Sequence, residues 1–151
     1  MKVAIGSDHA GFELKQEIIK VLVDEDFEVL DCGSYSNESV DYPDIAEKVA
    51  AKVLAHKIRG IIICGTGIGI SIAANKIPGI RAALCYNLDT ARLARQHNDA
   101  NIVAFGARQL EPAMAIGIVK TFLTTEFEAG RHQNRIDKIK ELEKKSGGRS
   151  N

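Results

Sequence analysis

Short apolar runs and helical segments alternate along the whole chain. The apolar runs are four or five residues long, which is typical of buried strands. Between them apolar residues recur three or four positions apart, as they do on one face of a helix. The predicted strands are Val3–Gly6, Phe27–Asp31, Gly60–Cys64, Arg81–Cys85 and Ile102–Phe105. The predicted helices are Glu13–Asp24, Asp44–Leu54, one that begins over Ser71–Asn75, Asp89–Gln96 and Glu111–Thr124.

Strands that are separated by helices predict an α/β fold. We expect a doubly wound, Rossmann-like parallel sheet of about five strands, with helices on both faces. No internal repeat, linker or low-complexity segment divides the chain. The sequence therefore predicts one domain over residues 1–143, including a C-terminal helix, and a frayed tail over residues 144–151.

Composition and charge exclude several classes of partner. The chain has 151 residues, of which 45% are hydrophobic and 26% are charged, as in an ordinary globular domain. Twenty Lys and Arg balance twenty Asp and Glu, so no overall positive field favours nucleic acid or an acidic membrane. No apolar stretch approaches the ~20 residues of a membrane span, and the N-terminus lacks the layout of a signal peptide. We expect a cytoplasmic protein with neither nucleic acid nor membrane as a partner.

The segment Ile61–Ser71 contains the clearest chemical signal. An apolar run ends at Cys64, and Gly65, Gly67 and Gly69 then precede a helix. Such glycines allow a tight turn and a close approach to a ligand, and N–H groups at a helix start favour negative charge. The sequence therefore predicts an anion site, although glycines that only turn a strand into a helix are the alternative.

Two nucleotide-binding motifs do not fit this segment. A P-loop requires a lysine after its last glycine, and none follows Gly69. A dinucleotide fingerprint requires Gly-x-Gly-x-x-Gly, whereas the spacing here is Gly-x-Gly-x-Gly. Nucleotide binding stays only as an alternative.

Polar residues follow several of the predicted strands. In a parallel α/β sheet, ligands bind beyond the carboxyl ends of the strands, so we expect these residues to line one site. They are Asp8 and His9 after the first strand, Cys64 and the glycines after the third, Gly106–Arg108 after the fifth, and His97 and Asn98 after the fourth helix.

The three cysteines are odd in number and widely spaced. Cys32, Cys64 and Cys85 form no Cys-x-x-Cys pair, which argues against a disulfide framework or a zinc site. The sequence also shows no closely spaced cluster of histidines and carboxylates. We therefore expect reduced thiols and no metal.

Five ordered blocks of the sequence resemble type B ribose-5-phosphate isomerase, a family that includes galactose-6-phosphate isomerase subunits. The resemblance extends from Val3 to about Leu142. The blocks are Gly6-Ser-Asp-His-Ala-Gly11, Asp41-Tyr-Pro43, Cys64-Gly-Thr-Gly-Ile-Gly-Ile-Ser-Ile-Ala-Ala-Asn-Lys76, Arg95-Gln-His-Asn98 and Gly130-Arg-His-Gln-Asn-Arg135. The resemblance implies cofactor-free and metal-free interconversion of D-ribose 5-phosphate and D-ribulose 5-phosphate in the non-oxidative pentose phosphate pathway.

This reaction moves a proton between adjacent carbons through an enediolate, so it needs a base and donors to an oxyanion. Only Cys64 adjoins the glycine loop, although a buried structural cysteine is the alternative. The resemblance is to the branch with a cysteine base, since the other branch carries glutamate at the position of Ile70. Donors to the enediolate are expected along the loop, at Gly65, Gly67, Gly69, Ile70 and Ser71.

The resemblance also implies roles in ring opening and sugar binding. It assigns opening of the cyclic sugar to His97, assisted by the Thr66 hydroxyl. It assigns the sugar hydroxyls to Asp8, Tyr42 and Asn98. Taken alone, His97 can equally be a solvated residue at a helix end, and Asp8 can equally cap the helix that follows it.

Arginines are the expected phosphate ligands. Arg131 and Arg135 are four residues apart, so on a helix they share one face, although a solvated basic face is the alternative. The resemblance adds His9 and Arg108 as phosphate contacts. It also implies that the C-terminal arginines reach into a partner's site, in a homodimer or a dimer of dimers. Downstream, Ile136, Ile139 and Leu142 form an apolar stripe that fits docking on the same chain or on a partner.

Two alternative functions stay open at this point. The first is isomerisation of a six-carbon sugar, allose 6-phosphate or galactose 6-phosphate, because one extra carbon is worth only about 1–3 kcal/mol of discrimination. The second is a regulatory module that binds a phosphosugar without turnover.

Overall fold

The computed structural model describes residues 1–147. These residues form five strands, six α-helices and a short 3-10 turn at His9–Gly11. The strands are β1 (Lys2–Ser7), β2 (Glu28–Asp31), β3 (Arg59–Cys64), β4 (Ala82–Leu84) and β5 (Ile102–Gly106). The helices are α1 (Phe12–Asp24), α2 (Tyr42–His56), α3 (Ile68–Asn75), α4 (Leu88–Asn98), α5 (Pro112–Thr124) and α6 (Arg131–Gly147).

The five strands form one parallel sheet in the order β2-β1-β3-β5-β4. The chain moves outward from β1 to β2 and then crosses back over β1 to reach β3. A crevice forms beyond the carboxyl ends of strands at such a reversal. Asp8 follows β1 and Cys64 ends β3, so both residues lie at this crevice.

Helices cover both faces of the sheet, which confirms the predicted doubly wound architecture. Helices α1, α4 and α5 pack on one face and α2 and α3 on the other. Ile61 and Ile63 of β3 point into the first core, and Ile62 and Cys64 point into the second. Because both faces are covered, the run of isoleucines in β3 is buried throughout.

Most element boundaries lie within two residues of the predicted ones, and the largest difference is at the start of α3. Helix α3 begins at Ile68, three residues before the predicted start, because Gly67 in the left-handed region lets the chain turn there at once. The fourth strand is shorter than predicted, since only Ala82–Leu84 pair with β5.

Helix α6 extends along the outside of the domain. It continues through Gly147, so residues 144–147 of the predicted tail are helical, and residues 148–151 lie outside the described part of the chain. Ile136 is buried, whereas Ile139 and Leu142 are exposed. The apolar stripe therefore docks on its own chain only at its start. No helix within residues 1–147 is long and apolar enough to cross a membrane.

Candidate active site

The glycine loop between β3 and α3 packs directly against the end of β5. Gly67 has a φ of +81°, and a Cβ there would lie 2.6 Å from the carbonyl carbon of Phe105. A Cβ on Gly106 would lie 2.5 Å from the carbonyl carbon of Thr66. Both contacts are with backbone, which cannot rotate aside, so only glycine fits at these positions. Part of the glycine pattern is thus a packing requirement.

The other two glycines of the loop face side chains predicted to bind the substrate. A Cβ on Gly69 would lie 2.6 Å from the Tyr42 ring carbon Cζ. A Cβ on Gly65 would lie 3.1 Å from Nη1 of Arg108, and the Arg108 N–H donates to the Gly65 carbonyl at 3.0 Å. Tyr42 and Arg108 therefore flank the loop, as sugar and phosphate ligands of one site must.

Cys64 is buried at the start of this loop. Its Sγ accepts a hydrogen bond from the Gly67 N–H at 3.1 Å. An N–H group aimed at sulfur stabilises negative charge on it, which a thiolate base requires.

The other two thiols have a different environment. Burial and the Asp31 carboxylate raise the pKa of Cys32, and burial raises the pKa of Cys85 to about 11. Each of these thiols points at a backbone carbonyl, Leu30 and Ala83 respectively, at 3.6 Å. Cys32 and Cys85 are therefore held as protonated, structural thiols.

Several N–H groups of the loop are already engaged within the chain. The Ile68 N–H donates to Thr66 Oγ1 at 3.2 Å, and the Ser71 N–H donates into the first turn of α3. The N–H groups of Gly65, Gly69 and Ile70 have no hydrogen-bond partner among residues 1–147. The predicted row of oxyanion donors therefore keeps Gly65, Gly69 and Ile70 as its free members, whereas the Gly67 amide donates to Cys64 and the Ser71 amide is occupied.

Asp8 lies against the end of β3, where its N–H donates to the Ile63 carbonyl at 3.1 Å. Its carboxylate oxygen Oδ1 accepts from the N–H groups of Ala10 and Gly11 at 2.9 and 3.2 Å. The capping role considered for this residue is thus observed. The second oxygen, Oδ2, accepts no hydrogen bond from residues 1–147 and is left for a sugar hydroxyl.

His9 is oriented by the loop that follows β2. Its Nδ1 accepts from the Val40 N–H at 3.3 Å, so the neutral ring carries its proton on Nε2 and can donate from there. A donor at this position suits a phosphate oxygen.

The remaining predicted residues lie at the opposite edge of the sheet. Helix α4 starts after β4 at the carboxyl edge, spans about 16 Å for its 11 residues, and ends before β5 at the amino edge. Arg81, which precedes β4, donates to the Asn98 carbonyl at 3.0 Å. The expected grouping of His97 and Asn98 with Cys64 within one chain is therefore wrong, because a helix that follows a strand returns the chain to the edge where strands begin.

Arg131 and Arg135 lie near His97 rather than near the glycine loop. The Glu128 N–H donates to the Gln96 carbonyl at 3.1 Å, which holds the segment before α6 against the end of α4. Both arginines are exposed. We call the set His97, Asn98, Arg131 and Arg135 the amino-edge group, and the set Asp8, His9, Tyr42, Cys64–Ile70 and Arg108 the glycine-loop site.

A histidine without a predicted role, His132, lies beside the amino-edge group. The ring of His132 stacks on that of His97, with centroids 4.2 Å apart and an angle of 17° between the planes. Burial lowers the pKa of His132, and His97 and Arg131 lower it further. The sequence signal was the Gly130–Arg135 block, which contains His132 but does not reveal its neighbour in α4.

The sequence analysis also missed a buried lysine that braces the glycine-loop site. Lys15 is fully buried, and its Nζ lies 2.7 and 2.8 Å from the two carboxylate oxygens of Asp31. Asp31 accepts from the Gly33 N–H at 3.0 Å, and the Gly33 carbonyl accepts from the Ser7 N–H at 2.7 Å. The pair thereby supports the strand end that precedes Asp8.

Comparisons with known proteins show the family to which the chain belongs. A sequence model described as Ribose/Galactose Isomerase matches residues 3–139. The chain is 48% identical over 145 residues to ribose-5-phosphate isomerase B of Escherichia coli, which covers 95% of this chain and 97% of that protein.

Solved structures are similar over the same range. Ribose-5-phosphate isomerase B of Clostridium thermocellum is 56% identical, with a TM-score of 0.95 over 97% of this chain and 99% of that one. Ribose-5-phosphate isomerase B of Mycoplasma genitalium, solved with bound ribulose-5-phosphate, is 46% identical, with a TM-score of 0.90 over 95% of this chain and 96% of that one.

Proposed function

The chain belongs to the ribose/galactose isomerase family, and on this basis we propose that it interconverts D-ribose 5-phosphate and D-ribulose 5-phosphate through an enediolate, as a step of the non-oxidative pentose phosphate pathway. The observation that carries the proposal is the position of the Cys64 thiol. It accepts a hydrogen bond from the Gly67 N–H, and in the same loop the N–H groups of Gly69 and Ile70 have no partner among residues 1–147 and can bind a ligand. A base and oxyanion donors on one rigid loop are what the proton transfer requires.

In the proposed reaction, the Cys64 thiolate removes the proton from C2 of the open-chain aldose and returns it to C1. The hydroxyl proton on O2 moves to O1, so that the carbonyl passes from C1 to C2. The N–H groups of Gly69 and Ile70 stabilise the enediolate oxygen that forms between the two steps. Such preorganised donors are worth about 3 kcal/mol each in barrier height. Asp8 Oδ2 and the Tyr42 hydroxyl bind sugar hydroxyls beside the loop.

Ring opening needs an acid–base group in addition to Cys64. We assign it to His97, whose imidazole moves a proton between the anomeric hydroxyl and the ring oxygen, with Thr66 assisting. Since His97 lies at the amino edge, it can act only in the site of a second copy. The same holds for the phosphate ligands Arg131 and Arg135, which complement His9 and Arg108.

A homodimer with shared sites satisfies both requirements. In a two-fold dimer, the amino-edge group of one chain faces the glycine-loop site of the other, and the reverse contact forms by symmetry. Exposed apolar side chains around the loop and the β4 edge of the sheet support such an interface. They are Ile68, Ile72, Leu84, Tyr86, Leu88 and Met114.

Ribulose 5-phosphate formation by the purified protein tests the function directly. Ribose 5-phosphate, allose 6-phosphate and galactose 6-phosphate are assayed in parallel, and we expect the highest kcat/KM with ribose 5-phosphate. Higher kcat/KM with a six-carbon sugar would reassign the substrate. Tight binding of all three without turnover would instead indicate a regulatory module.

A further inference from the structure

Three potential metal ligands meet at the amino edge of the sheet, one from α4 and two from the chain at the start of α6. They are His97, Glu128 and His132, and one ligand atom from each lies within 4.8 Å of the other two. His132 Nε2 lies 3.8 Å from Glu128 Oε2. We expected no metal because the sequence shows no closely spaced cluster of histidines and carboxylates. The fold brings these three side chains together, so that argument no longer holds.

Two backbone hydrogen bonds position the residues that carry these ligand atoms. The Glu128 N–H bonds to the Gln96 carbonyl at 3.1 Å, beside His97, and the His132 N–H bonds to the Ala129 carbonyl at 3.0 Å. Ligand atoms around tetrahedral Zn²⁺ are about 3.3 Å apart, as bond lengths of about 2.0 Å require. The stacked rings direct their nitrogen lone pairs side by side, so metal binding requires the half-buried His97 ring to turn out of the stack on His132. The Glu128 side chain is half exposed and can swing inward to complete the site.

Two imidazoles and one carboxylate are a ligand set that suits Zn²⁺, Ni²⁺ or Cu²⁺ better than Mg²⁺ or Ca²⁺. Three protein ligands also leave a fourth position for water. Arg131 and Arg135 oppose a cation here.

We propose that His97, Glu128 and His132 form a binding site for a transition-metal dication such as Zn²⁺, and that its occupancy inhibits the isomerase. Inhibition follows because a metal-bound His97 nitrogen can no longer take or return the proton of ring opening. The binding part of the proposal stands on the cluster alone, whereas the inhibition part rests on the proposed function.

Binding is tested by calorimetric titration of chelator-treated, buffer-exchanged protein with Zn²⁺, and by the absorption spectrum with Co²⁺. Cys64→Ala is the background for both measurements, because a thiolate also binds these metals. We expect one Zn²⁺ per chain and at least a roughly tenfold weaker affinity in Glu128→Gln and in His132→Asn. Glu141→Gln, which removes an exposed carboxylate elsewhere on α6, should bind as tightly as the background protein.

Glu128→Gln is the decisive variant, because its side chain is exposed and its loss leaves the fold intact, whereas His132 is buried. Equal Zn²⁺ affinity in the background, Glu128→Gln and Glu141→Gln proteins would overturn the site. A thiolate-to-cobalt charge-transfer band in the Cys64→Ala protein would overturn it too, because Cys32 or Cys85 would then hold the metal.

Inhibition is tested in the protein that retains Cys64. Zn²⁺ should inhibit turnover reversibly, with recovery on chelation, and Glu128→Gln should keep its basal turnover while requiring at least about tenfold more Zn²⁺ for the same inhibition. Inhibition of Glu128→Gln at the wild-type Zn²⁺ concentration would overturn the inhibition part and indicate Cys64 as the target. A protein with no isomerase activity at all would defeat the proposed function but leave the calorimetric result intact.

Discussion

The glycine-loop site and the amino-edge group are built in opposite ways. In the first, Gly67 and Gly106 press backbone against backbone, and the Cys64 thiol has a fixed donor. In the second, the half-buried His97 and the exposed Asn98, Arg131 and Arg135 extend from the end of α4 and the start of α6. Under the proposed function, this difference is a division of labour, in which proton transfer at carbon is prearranged within each chain, while ring opening and phosphate binding are completed by a partner.

The largest effect is expected when the proposed base of the glycine-loop site is removed. Cys64→Ala should lower kcat by about 10²- to 10⁴-fold, because general base catalysis contributes that much. Binding of ribose 5-phosphate, measured by calorimetry, should persist because other residues hold the phosphate. Cys32→Ala and Cys85→Ala are the matched controls and should keep their turnover. Substantial turnover in a sequence-verified Cys64→Ala protein would exclude Cys64 as the base.

The rigidity of the loop can be compared with that of the segment before α6. Gly67→Ala should destabilise the protein by about 3 kcal/mol, since left-handed strain adds to overlap with Phe105. Gly130 also has a positive φ, but the nearest atom to a Cβ there is the Glu128 carbonyl oxygen at 4.0 Å. Gly130→Ala should therefore cost only about 1 kcal/mol. Urea unfolding of both variants measures the difference, and equal costs would refute the steric argument.

Ring opening can be separated from proton transfer at carbon. His97→Asn should slow turnover of ribose 5-phosphate by about 10²-fold, as loss of a general acid–base group does. A sugar phosphate that cannot cyclise should be affected much less, because it bypasses the step. Steady-state kinetics on both substrates make the comparison. Equal losses would assign His97 to positioning or to folding.

Subunit mixing tests whether the glycine-loop site of one chain works with the amino-edge group of another chain. Cys64→Ala and Arg131→Ala/Arg135→Ala proteins are each expected to be nearly inactive. After exchange in equal amounts, half of the dimers are mixed and each has one complete site, so about a quarter of wild-type activity should appear. If mass spectrometry confirms mixed dimers and no activity returns, the arginines act in their own chain.

The smallest expected effect is that of chelation. A thiolate and amide donors supply the base and the oxyanion stabilisation, so exhaustive treatment with a chelator should leave turnover undiminished. The rate before and after treatment is compared on one preparation. A loss that one divalent ion specifically restores would show that a metal participates in the reaction.

The sequence by itself determined the sheet and the tight glycine loop that follows its central strand. The run Ile61–Ile63 predicts a strand buried on both faces, and the glycines after Cys64 predict a loop that offers free amides. These predictions succeed because strand burial and turn geometry depend on neighbouring residues. The same reasoning extended the row of donors to Ser71, because it could not locate the start of α3.

The tertiary structure alone decided which residues meet. It separates His97 from Cys64, because α4 carries the chain back to the amino edge of the sheet. It brings His97 together with Glu128 and His132 across more than thirty residues of sequence, because α5 and the turn before α6 return the chain to that same edge. Such contacts depend on strand order and helix direction, and no local pattern of residues encodes either of these.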